Sequence, residues 1–185
     1  MKLYSRSLVI MSLLCIGINS RSLGQSVVGG NTPLPATQIA APKAGLRYSY
    51  YEGVWDKVTA HATAKVLSQG IASGINLNKA KEEINYALDF EGYLLVPQTG
   101  LYEITLNCDD GGILKIDDSA EINHDGIHMA YEKSVSVMLE KGYHRLQLSY
   151  FQGEGTSALE LYWKVGNGKK VLIPKTAYFH DAENK

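Results

Sequence analysis

Two adjacent carboxylates, Asp109 and Asp110, followed at once by Gly111 and Gly112, are the residues of this chain best placed to do chemistry. They interrupt the stretch YEITLNCDDGGILKI (102–116), in which apolar residues alternate on either side of the acidic pair. Carboxylates on a glycine-released turn have two uses. They collect backbone N–H donors and fix the loop, or they offer hard oxygen ligands to a cation such as calcium. Both uses remain open on the residues alone. A second acidic pair, Asp117 and Asp118, falls at a strand end, where a β-turn role is expected.

His124 and His128 flank Asp125 in NHDGIH (123–128). A four-residue spacing puts two imidazoles on one zinc ion when the backbone is helical, and Gly126 argues against a helix here. The stretch therefore reads as an exposed loop whose polar groups touch a ligand, with Tyr131 as a nearby aromatic platform. In 151–157, Gln152 and Glu154 provide a further polar loop. Cys108 continues the inward alternation of Tyr102, Ile104 and Leu106, and no histidine neighbours it in sequence, so it reads as a small buried hydrophobe. Glycoside hydrolysis needs two opposed carboxyl groups across a cleft, and the spacing of Glu82, Glu83, Glu140 and Glu154 shows no such cleft. Recognition is expected rather than catalysis.

The elements that must hold these residues are strands. Tyr86, Leu88 and Phe90 alternate up to Gly92, where a bulge is expected, and a short run at 94–96 stops at Pro97. Further strands are expected up to Cys108, over 113–117, over 134–139, and at His144, Leu146, Leu148 and Tyr150. Leu159, Leu161 and Trp163 alternate in the same way, so Trp163 is expected in the core. Residues 57–67 and 78–83 are the two candidate helical stretches. Many short strands at close spacing predict an all-β, antiparallel sandwich or barrel.

The 185 residues suit one domain, and 18 Lys+Arg against 19 Asp+Glu leave a net charge of -1. So balanced a charge gives no electrostatic reason to expect nucleic acid as a partner. Lys2 and Arg6 precede an apolar run over 8–18, too short to span a bilayer but suited to a secretory leader. The expected organisation is a signal peptide at 1–24, an extended linker at 25–44 punctuated by Pro33, Pro35 and Pro42, a β-module at 45–181 and a tail at 182–185. No membrane span is expected in the mature chain. Removing the leader leaves Cys108 without an internal disulfide partner, so the core must hold the fold by itself.

From 45 to 179 the chain resembles the protective-antigen fourteen-kilodalton domain family. The matching pieces are Gly45-Leu46, Tyr50-Tyr51-Glu52-Gly53, Phe90-Glu91-Gly92-Tyr93-Leu94 with Pro97, Gly100-Leu101-Tyr102 and Asp109-Asp110-Gly111. Further on come Leu114-Lys115-Ile116-Asp117, Gly142-Tyr143-His144, Leu159-Glu160-Leu161-Tyr162-Trp163 and Ile173-Pro174. The order and spacing of these pieces carry the resemblance, which is especially close to copies attached to secreted bacterial β-hexosaminidases and other glycosidases.

The resemblance implies a secreted or extracytoplasmic, non-catalytic, lectin-like module that binds carbohydrate and is accessory to glycan degradation or adhesion. Its implied partners are a glycan or glycoconjugate and a secreted glycosidase or surface protein. In the yeast adhesins of the family, two consecutive aspartates joined by a cis peptide hold calcium, which bridges to sugar hydroxyls. Asp109 and Asp110 match that pair. Where the adhesins add a downstream loop asparagine, this chain has Gln152 and Glu154. The expected carbohydrate site is Asp109, Asp110, His128, Tyr131, Gln152 and Glu154, with calcium on the two aspartates. The alternative is a structural or protein-interaction module with no sugar ligand, in which the aspartates serve only the fold.

Overall fold

The computed structural model describes residues 27–28 and 30–183; the expected leader lies outside them. Among the described residues thirteen strands follow in chain order: β1 (Val27–Val28), β2 (Pro42–Ala44), β3 (Leu46–Glu52), β4 (Ser68–Ala72), β5 (Tyr86–Val96), β6 (Gly100–Asp109) and β7 (Gly112–Ile116), then β8 (Ala120–His124), β9 (Tyr131–Leu139), β10 (Gly142–Gln152), β11 (Ala158–Val165), β12 (Val171–Leu172) and β13 (Tyr178–Asp181). The candidate helix at 57–67 reduces to one 3-10 turn, Val58–His61, and 78–83 forms turns and bends. Neither stretch has the apolar stripe that would anchor a helix on a sheet.

The strands form two sheets. One has the order β1-β9-β6-β11-β12, and the other β2-β13-β5-β10-β7-β8, with β3 also on β5 and β4 on β3. Pairing is antiparallel throughout except for β1 on β9. This is the antiparallel sandwich that the alternation predicts. Tyr102, Ile104, Leu106 and Cys108 of β6, with Leu159, Leu161 and Trp163 of β11, face Leu88, Phe90, Leu146, Leu148 and Tyr150 of the other sheet in one continuous core. Each fully buried side chain of this size contributes about 1.5–3 kcal/mol, and among the described residues Cys108 is a free, buried cysteine. A smaller cluster of Tyr51, Val58, Ala87 and Phe151 is packed by Trp55 and Ala64.

Two expectations are corrected. The strand through Gly92 has no bulge: β5 pairs with β10 in unbroken register from Tyr86 to Val96. Leu88, Phe90, Leu94 and Val96 keep one parity, and Gly92 is instead the point where β3 leaves the free side of β5 and β13 replaces it. A Cβ there would collide with the Phe179 carbonyl, which is why glycine is needed. Residues 25–44 were expected as a linker. The described part is extended, but it is docked: β1 pairs with β9, Leu34 bridges to Leu139, Thr37 bridges to Tyr143, and β2 pairs with β13. Proline and small polar residues spell an extended chain equally well whether it is free or lies along a sheet edge.

Three connections cross between the sheets at one end. The chain passes from β6 to β7 through Asp110 and Gly111, from β8 to β9 through 125–130, and from β10 to β11 through 153–157. That end is where the polar chemistry collects.

Candidate functional site

The two aspartates sit where β6 leaves its sheet, joined by a cis peptide bond, and both side chains are buried. Asp110 reaches into both neighbouring crossings. Its Oδ2 accepts the Gly153 N–H at 2.8 Å and its Oδ1 the His128 N–H at 3.2 Å. Asp109 Oδ2 accepts the Thr156 hydroxyl at 2.9 Å, while its Oδ1 has no hydrogen bond among the described residues. Close packing of backbone makes this convergence possible: a Cβ on Gly111 would run into the Phe151 ring and lie 2.9 Å from the Gly126 nitrogen.

The other expected site residues divide into exposed and buried groups. Glu154 is exposed on the β10–β11 loop, Tyr131 is 46% exposed at the start of β9, and His128 is partly exposed between them. Gln152 differs, being fully buried. Its Oε1 lies 2.8 Å from the Tyr150 hydroxyl and its amide donates to the carbonyls of Thr156 (2.8 Å) and Glu154 (3.4 Å). The Tyr150 hydroxyl also meets the Asp109 carbonyl. Gln152 is thus a brace inside the loop, not a surface for a ligand, because an amide has both the donors and the acceptor that a tight turn leaves unpaired.

The expected exposed loop at 123–128 is corrected at its first half. Ala120, Ile122 and His124 form the inward face of β8, and His124 is fully buried. Its Nε2 lies 2.8 Å from the Tyr131 carbonyl and its Nδ1 has no hydrogen-bond partner. Only Ile122 is strongly apolar in this strand, so its sequence carries no apolar alternation. His128 folds back over His124 with ring centroids 4.2 Å apart, and Tyr131 stands edge-on to both. Burial holds the His124 imidazole below its ordinary pKa; His128 and Lys133 add to this, against the Tyr131 carbonyl, which favours the charged form. Cys108 pairs with Tyr131 across the strands, and burial, with Asp109 and Asp110 nearby, pushes its thiol up to about 12.

Two further histidines gain partners that their sequence neighbours do not suggest. His61 Nε2 meets Asp89 Oδ1 at 3.0 Å, with the Tyr51 hydroxyl donating to the same carboxylate. His144 lies buried between Asp117 and the Glu140 carbonyl. As expected, Asp117 and Asp118 make a turn, with positive φ at both and a hydrogen bond from Ser119 N to the Ile116 carbonyl.

Fold and site together define an antiparallel β-sandwich module that gathers its polar groups on the loops of one end. The chain belongs to the PA14 domain family, whose sequence profile matches residues 42–177. It is similar in structure to the PA14 sugar-binding domain from an RTX adhesin, with 19% identity, a TM-score of 0.58 and coverage of 76% of this chain and 99% of that one. A second similar structure is the Epithelial Adhesin 9 A domain from Candida glabrata in complex with Galb1-3GlcNAc, at 13% identity and TM-score 0.60, covering 81% and 98%. A third is the PA14 domain of the MpAFP antifreeze protein, at 14% identity and TM-score 0.59, covering 80% and 97%. At such identities the likeness shows the fold. No curated protein sequence matches the chain. Among the described residues, no helix is long and apolar enough to cross a membrane.

Proposed function

We propose that this chain is an extracytoplasmic, non-catalytic carbohydrate-binding module whose ligand sits on the loop end around Asp109 and Asp110. The observation that carries this reading is the convergence of three sheet crossings on the aspartate pair, with one Asp109 oxygen free of hydrogen bonds among the described residues and with Tyr131 and Glu154 exposed on elements that those crossings join. Sugar binding by the adhesin domains of the same fold supports it. The donor set fits a calcium ion: Asp109 Oδ1 is free, and each Asp110 oxygen keeps a lone pair after accepting its N–H. Asp109 and Asp110 would hold the ion, which when bound offers open coordination positions to sugar hydroxyls. Tyr131 would contribute an apolar ring face to a sugar, Glu154 and His128 polar groups at its rim, and Gln152 the shape of the loop. A secreted glycosidase or surface protein would be the natural companion of such a module.

A second reading has its own support. Both Asp110 oxygens already fix backbone N–H groups, as they would in a purely structural or protein-interaction module. Binding of residues 25–185 to a broad glycan array, in calcium and in chelator, separates the two. Chelator-sensitive binding that disappears in a folded Asp109→Ala variant is expected, whereas silence in both conditions would favour the structural reading.

A further inference from the structure

We propose that Cys108, His124 and His128 form a site for a zinc ion, distinct from the carboxylate pair beside it. The three residues come from different elements: Cys108 from the end of β6, His124 from the end of β8, and His128 from the crossing to β9. One ligand atom from each lies within 4.8 Å of the other two. Strand pairing does what a helix would otherwise do. Cys108 pairs with Tyr131, and Gly112, in register with His124, leaves the space beside the sulfur that a Cβ would enter at 3.1 Å.

The state of the ligands also points to a metal. His124 Nε2 faces the Tyr131 carbonyl, an arrangement that puts the proton on Nε2 and leaves a lone pair on Nδ1. Metal-binding imidazoles are commonly oriented this way, through a carbonyl on the second nitrogen. That Nδ1 is buried with no partner, in a residue that is fully buried. An unpaired buried acceptor is costly unless something fills it. His128 presents the complementary anomaly: its two nitrogens each lie 3.0 Å from a carbonyl, of Met129 and of His124, and a neutral ring can donate to only one of them. The other nitrogen gains by turning onto a cation.

One thiolate and two imidazoles make a set of three for zinc, with the fourth position open. Tetrahedral zinc with such ligands needs donor separations of about 3.4–3.6 Å, so the cluster must contract on the order of 1 Å, within reach of a side-chain adjustment of the partly exposed His128. On binding, the sulfur–zinc bond replaces the sulfur–hydrogen bond and the thiol proton passes to water. Calcium would not compete, since it prefers oxygen donors. The ion would also pin the crossing whose His128 N–H holds Asp110.

Cobalt(II) titration of the untagged, reduced protein reads the site directly. The expected spectrum shows one equivalent bound, visible bands of tetrahedral cobalt and a near-ultraviolet thiolate-to-cobalt charge-transfer band. One equivalent of zinc should abolish these bands and excess calcium should leave them. Cys108→Ser should remove the charge-transfer band, and His128→Gln, at a partly exposed position, should weaken binding by more than about tenfold. A folded natural-sequence protein that gives no charge-transfer band in excess cobalt overturns the proposal, whether or not the Cys108 variant folds. So does a band that survives in folded Cys108→Ser. Neither outcome depends on glycan binding, so this proposal and the lectin reading fail separately.

Discussion

Asp110 is one side chain doing the work of two loop anchors, and its replacement should show how much of the site is scaffold. Each of its oxygens accepts a backbone N–H from a different crossing, and charge-assisted bonds of this kind contribute about 1.5–3 kcal/mol apiece. Asp110→Ala should therefore lower stability by about 2–4 kcal/mol in denaturant unfolding, since it leaves two donors of the crossings without an acceptor. A loss below about 0.5 kcal/mol would mean that the loops are held by other contacts. The paired carboxylates were legible in the sequence because aspartate before glycine has few uses outside a turn or a cation site. The roles of Gln152 and His124 were not legible. Both are polar residues turned inward, and residue type predicts exposure unless the partner is known. Their partners, the Thr156 and Tyr131 carbonyls, are backbone atoms that carry no signature in the sequence.

At the level of elements, alternation located the central strands well and failed at the edges. β6 and β11 each carry an apolar inward face and β10 carries one from Leu146 to Tyr150, whereas β2, β4 and β8 are short and largely polar and are recognisable only through the strand they pair with; β12 is apolar but only two residues long. The β7–β8 turn shows how such an edge is secured. Asp117 Oδ1 accepts the Arg145 N–H at 2.7 Å and Oδ2 binds His144 Nδ1, tying the turn to the start of β10. Burial alone would pull the His144 pKa down, but Asp117 and the Glu140 carbonyl outweigh it and hold it above the ordinary value. A histidine with a raised folded-state pKa stabilises fully below its unfolded value of about 6.5, and that contribution fades as pH rises through the folded value. Unfolding measured from pH 5.5 upward should therefore show stability declining above neutrality. Asp117→Asn, which keeps the acceptor for Arg145 but loses the charge, should flatten that decline. An unchanged slope would show that His144 does not titrate there.

Taken as a whole molecule, the sandwich has two unlike ends. At one, the crossings through Gly111, Gly126 and Gly153 gather the carboxylates, the histidines and Cys108. At the other, the N-terminal segment acts as a strap: Leu34 donates its N–H to the Met138 carbonyl and accepts the Glu140 N–H, and Thr37 donates to Tyr143. The strap meets β9 at Val137 and Leu139, while the site meets it at Tyr131. Six residues of strand put these points about 20 Å apart. Contacts so far apart with no shared partners act additively. A version of the protein beginning at residue 42, where the match to the family profile starts, should therefore fold with its core intact and lose about 2 kcal/mol. Most of the gain from the strap's hydrogen bonds is offset by the entropy of ordering it. The cobalt spectrum and any glycan binding should be unchanged in the shortened protein. If shortening instead abolished the cobalt band without unfolding the chain, the strap would have to set the register of β9 along its whole length, and the two ends would be coupled through that strand.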